Sequence, residues 1–188
     1  PEILLPESGD TRVLFDGRMR KHLRVTTKLT DTLELHREIE CFAASPCIKY
    51  TARFINRSIE DFPVTGIMPF RGDLDGVTAT TLALDGHNVK HANRFSLRQN
   101  ALDWSAAFDG LHEFAEGRLD DLGEWVSLQT PAADWLVVFP HFQDMAAGDA
   151  DVASAIQFDG TTLMERHYAP LEPTADVRLR EGMARTFT

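Results

Sequence analysis

From Leu33 to Phe42 the chain reads LELHREIECF, and apolar residues fall on every second position. Leu33, Leu35, Ile39 and Cys41 share one face, with Arg37 as the exception, while Glu34, His36, Glu38 and Glu40 share the other. CIKYTARFIN repeats the period: Ile48, Tyr50, Ala52 and Phe54 alternate with Lys49, Thr51, Arg53 and Ile55. Side chains of a strand point alternately to opposite faces, so this pattern predicts two antiparallel strands, each with one wet face. The FAASP between them reads as a hairpin loop.

The same alternation predicts strands at TRVLF, HLRVTTKL, VTGIMPF, VTATTLAL, EWVSLQT, DWLVVFP, SAIQF, TLMERHY and DVRLREGMARTF. Asp-Gly pairs at Asp16-Gly17, Asp75-Gly76, Asp85-Gly86, Asp109-Gly110 and Asp159-Gly160 mark turns beside them, because both residues tolerate positive φ. Helical patterning is confined to DADVASAIQ, where Ala-rich sequence competes with the strand reading. The predicted class is all-β, an antiparallel β-sandwich or distorted barrel with little helix, organised as one β domain over 1–188.

Composition narrows the partners. The net charge of −10 argues against nucleic acid, whose backbone is bound by Lys and Arg that release its counterions. No apolar run approaches the roughly 18 residues needed to span a bilayer, so no membrane partner is expected. Cys41 and Cys47 suit neither a redox CxxC nor a four-ligand zinc site. They also lie out of phase with each other across the hairpin, which predicts two free thiols.

Chemistry-bearing motifs are sparse. Of the seven histidines, His87 and His91 in HNVKH have a spacing that puts both on one face, but no third ligand stands nearby and surface histidines are the default. There is no GxSxG elbow and no glycine-rich phosphate cradle. TLMERHYAP gathers Glu165, Arg166, His167 and Tyr168, yet on a strand Glu165 and His167 face one way and the other two face away. The second half is richer: Trp104, Phe108, Phe114, Trp125, Trp135, Phe139, His141, Phe142 and Gln143 combine flat aromatic rings with polar groups, as sugar-binding β folds do. The default place of any one of these tryptophans is nonetheless the core.

Read in order, LRQNALDWSAAFDG, GRLDDLGEWVSLQTPAADWLVVFPHFQDM, IQFDGTTLMERHYAPLEP and REGMARTFT resemble successive blocks of the exo-acting rhamnogalacturonan lyase-like family of polysaccharide lyases. LELHREIECFAASPCIKYTARFINRS is similar to a strand pair found in many mutarotase-like sandwiches. The resemblance runs from about Leu33 to Thr188, and it departs from the family at GEWVSL, where Glu124 is inserted, and at VVFPHFQDM. It implies a galactose-mutarotase-like, supersandwich β region followed in the parent chain by an α/α toroid, and it implies no cofactor. An ending in LREGMARTFT, which reads as a strand in mid-course, fits such a region of a larger protein.

The implied ligand is an oligo- or polysaccharide that is acidic and contains rhamnose. The implied reaction is β-elimination, in which a base removes the proton beside a uronate carboxylate while that carboxylate is neutralised. Arg71, Arg94 and Arg98 would have to gather to hold a polyanion, with Trp104, Trp125, His141 and Gln143 completing the substrate-binding set. The catalytic residues stay unassigned. Three alternatives remain: a standalone carbohydrate-binding module marked by an exposed Trp104–Trp125 pair beside Arg98, an aldose-epimerase-like enzyme using His141 and Glu165, and a purely structural domain.

Overall fold

The computed structural model describes residues 9–64, 66–84, 89–100, 103–110, 113–118, 123–140, 142, 152–170 and 177–188. Seventeen strands and no helix occur among them, the protein is all-β, and every strand pair among the described residues is antiparallel. The strands fall into two compact units, Pro1–Thr65 with Asp176–Thr188, and Gly66–Ala175.

In the first unit, β1 (Asp10–Asp16), β2 (Arg20–Lys28), β3 (Leu33–Phe42), β4 (Ile48–Asn56) and β17 (Ala184–Phe187) form one sheet in the order β1-β2-β3-β4-β17. β5 (Phe62–Val64) pairs separately with β16 (Val177–Leu179). The strands predicted from LELHREIECF and CIKYTARFIN are β3 and β4, and their register sets Leu35 opposite Phe54 and Arg37 opposite Ala52. One face buries Leu33, Leu35, Ala52, Phe54 and Phe187, with the Phe54 and Phe187 rings edge to face. The other carries a charged ladder: Arg24 Nε donates to Glu38 at 2.9 Å, His22 Nε2 lies 2.9 Å from the same carboxylate, and Arg20 meets Glu40 at 2.7 Å.

Both cysteines are free and exposed, and Cys41 faces Ile48 across the ladder, so Cys47 falls out of register with it. LREGMARTFT is not one strand. A turn at Glu181-Gly182 separates β16 from β17, closed by Met183 N–H donating to Arg180 O at 3.2 Å. Gly182 sits at φ 62°, a conformation that costs glycine nothing and other residues strain.

The second unit holds β6 (Ile67–Asp73), β7 (Ala79–Ala83), β8 (Val89–Ala92), β9 (Phe95–Gln99), β10 (Asp103–Phe108), β11 (Glu113–Arg118), β12 (Trp125–Gln129), β13 (Asp134–Val138), β14 (Val152–Phe158) and β15 (Thr162–Pro170). Six strands form a sheet in the order β11-β10-β9-β14-β15-β6, and four form a second in the order β13-β12-β7-β8. Leu97, Ala106, Phe108, Ile156, Phe158 and Leu163 from the first sheet and Leu82, Val126 and Leu128 from the second join one core with Phe139 and Phe142, a sandwich-like arrangement. Each fully buried Val, Leu, Ile or Phe side chain among them contributes about 1.5–3 kcal/mol of transfer free energy.

The helical alternative at DADVASAIQ loses for the residues described there. Val152–Phe158 is a strand hydrogen-bonded on both sides, to β9 and β15, with Ser154, Ile156 and Phe158 turned inward. Ladder bonds on two edges outweigh the helix preference of two alanines.

Candidate functional site

The outward face of the six-stranded sheet is built by alternation. Leu97 and Gln99 are buried, so Arg98 between them points outward. Register then sets Ser105 of β10 opposite Arg98, and Glu116 of β11 opposite Ser105, a polar row across three strands. One step along, Asp103 faces Arg118. Asn100 closes the β9–β10 turn: its N–H donates to Asp103 O at 3.0 Å, and its Oδ1 accepts from Asp103 N–H at 2.9 Å.

These residues, with Gln99, Trp104, Gly117 and Ala153, line an open cleft of about 500 Å³. Its chemistry is two guanidinium groups, two carboxylates, two amides, of which that of Gln99 is buried, and a hydroxyl. A guanidinium fork matches a carboxylate in two parallel hydrogen bonds, while Asn, Asp, Glu and Ser supply the paired donors and acceptors that hydroxyl groups need.

Trp104 belongs to the floor of this region. It is 5% exposed, and its indole lies so close over Gly117 that a Cβ there would sit 2.7 Å from the ring. Trp125 lies on β12 of the other sheet, half-buried and opposite Val138. The two tryptophans therefore form no exposed pair beside Arg98.

Nor do the three arginines gather. Arg71 is on β6, separated from β9 by β15 and β14, about 14 Å at the usual spacing of adjacent strands, and its guanidinium lies 3.5 Å from Asp73. Arg94 sits in the turn before β9, where its N–H donates to Asp109 Oδ1 at 3.1 Å. His141 and Gln143 lie outside the described residues. Arg118, Asn100, Asp103, Ser105 and Glu116 were not anticipated; in EFAEGR only Glu116 and Arg118 keep a period of two, and Glu113 breaks it.

A second polar group lies inside the sandwich. His167 Nδ1 is 2.8 Å from Ser154 Oγ, and His167 Nε2 is 2.7 Å from Glu165 Oε1. Glu165 and His167 do share the inward face, across a bulge in the pairing of β15 with β6, and Arg166 between them is exposed. All three members are buried, the Phe142 ring packs on the imidazole at 5.9 Å, and Gln99 Nε2 donates to Phe142 O. Glu165, the carboxylate of the epimerase alternative, is thus engaged by His167 in the core; its expected partner His141 lies outside the described residues.

Among the described residues no group of three or more His, Cys, Asp or Glu side chains is placed to hold a metal ion. His91 instead meets Thr81 Oγ1 at 2.9 Å, and His87 is outside the described residues. Compared with protein-family models, with curated proteins and with solved structures, the chain matches none.

Proposed function

We propose that this chain is the carbohydrate-engaging β region of a polysaccharide-lyase-like protein, and that it holds an acidic, rhamnose-containing glycan without cleaving it alone. The observation that supports this reading is the cleft of Arg98, Arg118, Asn100, Asp103, Ser105 and Glu116. Its two guanidinium groups suit the carboxylate of a uronate, and the amide, hydroxyl and carboxylates suit the hydroxyls of neighbouring sugars. The carboxylates also limit how much negative charge the cleft accepts, which favours a glycan with one uronate per repeat over a continuous polyanion.

The buried Ser154–His167–Glu165 chain offers no base to a ligand in the cleft, so no catalytic role falls to it. The test is NMR shift mapping with rhamnogalacturonan and uronate oligosaccharides, with ultraviolet detection of unsaturated product. Saturable shifts at Arg98, Asn100 and Arg118 without product are expected. Arg98→Ala should abolish them while changing stability by less than about 0.5 kcal/mol, as an exposed substitution does. No shift with any glycan would leave a structural domain.

A further inference from the structure

Every sheet has two edge strands, whose outer N–H and C=O groups can template pairing with another chain, and proteins blunt such edges with charge, proline or bulges. The described edges here follow that rule, with one exception. β1 carries Asp10, Arg12 and Asp16 and a bulge between Val13 and Phe15. β17 carries Arg185; β11 carries Glu113, Glu116 and Arg118; β6 carries Pro69 and Arg71; β8 carries Lys90. In the small two-stranded sheet, β5 holds Pro63 and β16 holds Arg178.

β13 has none of these after its first residue. Its sequence is DWLVV, its register with β12 is unbroken from Asp134 to Val138, and it ends the four-stranded sheet. Trp135 is 45% exposed, Leu136 66% and Val138 54%. Trp135 and Val137 lie on the core face, opposite the buried Leu128 and Val126, and Leu136 and Val138 lie on the outward face.

We infer that β13 pairs edge to edge with β13 of a second copy of this chain. An antiparallel match centred on Leu136 is self-complementary. It sets Trp135 against the partner's Val137 on one face and Leu136 against its own copy on the other. Each Asp134 then falls opposite Val138 of the other copy, so no like charges meet. Opposed residues of an antiparallel pair share a face, and aromatic–β-branched pairs are among the favourable ones. A twofold axis through Leu136 makes one eight-stranded sheet and closes both edges at once.

A five-residue edge buries well under the roughly 800 Å² per partner of a stable interface, so the association is weak, with Kd on the order of 100 µM. The net charge of −10 on each copy opposes it, and added salt strengthens it by screening. Analytical ultracentrifugation from about 10 to 500 µM brackets that constant and tests the inference. The wild-type chain should pass from monomer to dimer. Leu136→Lys should stay folded by circular dichroism, its side chain being exposed, and should dimerise at least tenfold more weakly. Val89→Lys, on the opposite edge strand, should dimerise as the wild type does. A wild-type chain that is monomeric throughout, or a Leu136→Lys variant with an unchanged constant, overturns it.

Discussion

Replacing Asn56 by Asp alters one amide in a side chain that is completely buried and that ties two distant stretches of the first unit together. Its Nδ2 donates to Glu60 O and Leu179 O at 2.9 Å and to Arg180 O at 3.2 Å, while its Oδ1 accepts from Ser58 N–H at 3.0 Å. Asn56→Ala removes both N–H donors and strands buried carbonyls. At about 0.5–1.5 kcal/mol for each lost bond, and about 1–3 for a buried group left unsatisfied, the loss is about 2–4 kcal/mol. That is a large share of the roughly 5–15 kcal/mol that holds a domain together.

Asn56→Asp keeps the acceptor for Ser58 but points a carboxylate at carbonyl oxygens in a buried site. Burial and those oxygens disfavour the charged form, so the carboxyl's pKa in the folded state rises above its unfolded value of about 3.9. A group with a raised folded pKa stabilises the fold below the unfolded pKa and loses that contribution as pH rises through the folded one. At neutral pH the Asp variant is therefore expected to be less stable than the Ala variant, and near pH 4 the order should close or reverse. Urea denaturation of wild type and both variants, followed by far-ultraviolet circular dichroism at about pH 4 to 8, measures this. An Asp variant as stable as wild type at neutral pH, or one whose deficit ignores pH, would refute the reasoning.

The charged ladder of the first unit makes its own pH prediction. Burial raises the Glu38 carboxyl, but hydrogen bonds and charge from Arg24 and His22 outweigh it, and the net position is below the ordinary 4.5. Glu34 is also lowered, chiefly by its hydrogen bond from Arg57. Depressed folded values contribute stability above the unfolded pKa and lose it as pH falls through the folded one, so urea midpoints should drop below about pH 4.5, and Glu38→Gln should flatten that drop. In the second unit, Gly117→Val places a Cβ 2.7 Å from the Trp104 ring and should cost about 1–3 kcal/mol, with a changed near-ultraviolet tryptophan band. An unperturbed band in that variant would mean the indole does not rest on Gly117.

By itself the sequence determined the all-β class, the limits and faces of β3 and β4, and turns such as Asp109-Gly110, where both residues take positive φ. These are local matters: a period of two fixes which residues share a face, and turn chemistry fixes where a strand ends. It also held Glu165 and His167 on one face, which they share in the core. It missed β8 to β11 as strands, although Trp104, Ala106 and Phe108 of β10 keep a period of two; in β9 the polar Gln99 takes a buried position, and in β11 Glu113 breaks the spacing of the charges. It also read one strand where the turn at Glu181-Gly182 divides two.

Only the tertiary structure decided which strands are neighbours. β9 lies between β10 and β14, so Arg98 stands in one row with Ser105 and Glu116 rather than beside Arg71, and Ser154 meets His167 across a bulge. Strand order and register are set by burial and ladder bonds between segments far apart in the chain, and periodicity along one strand carries no information about which other strand lies beside it.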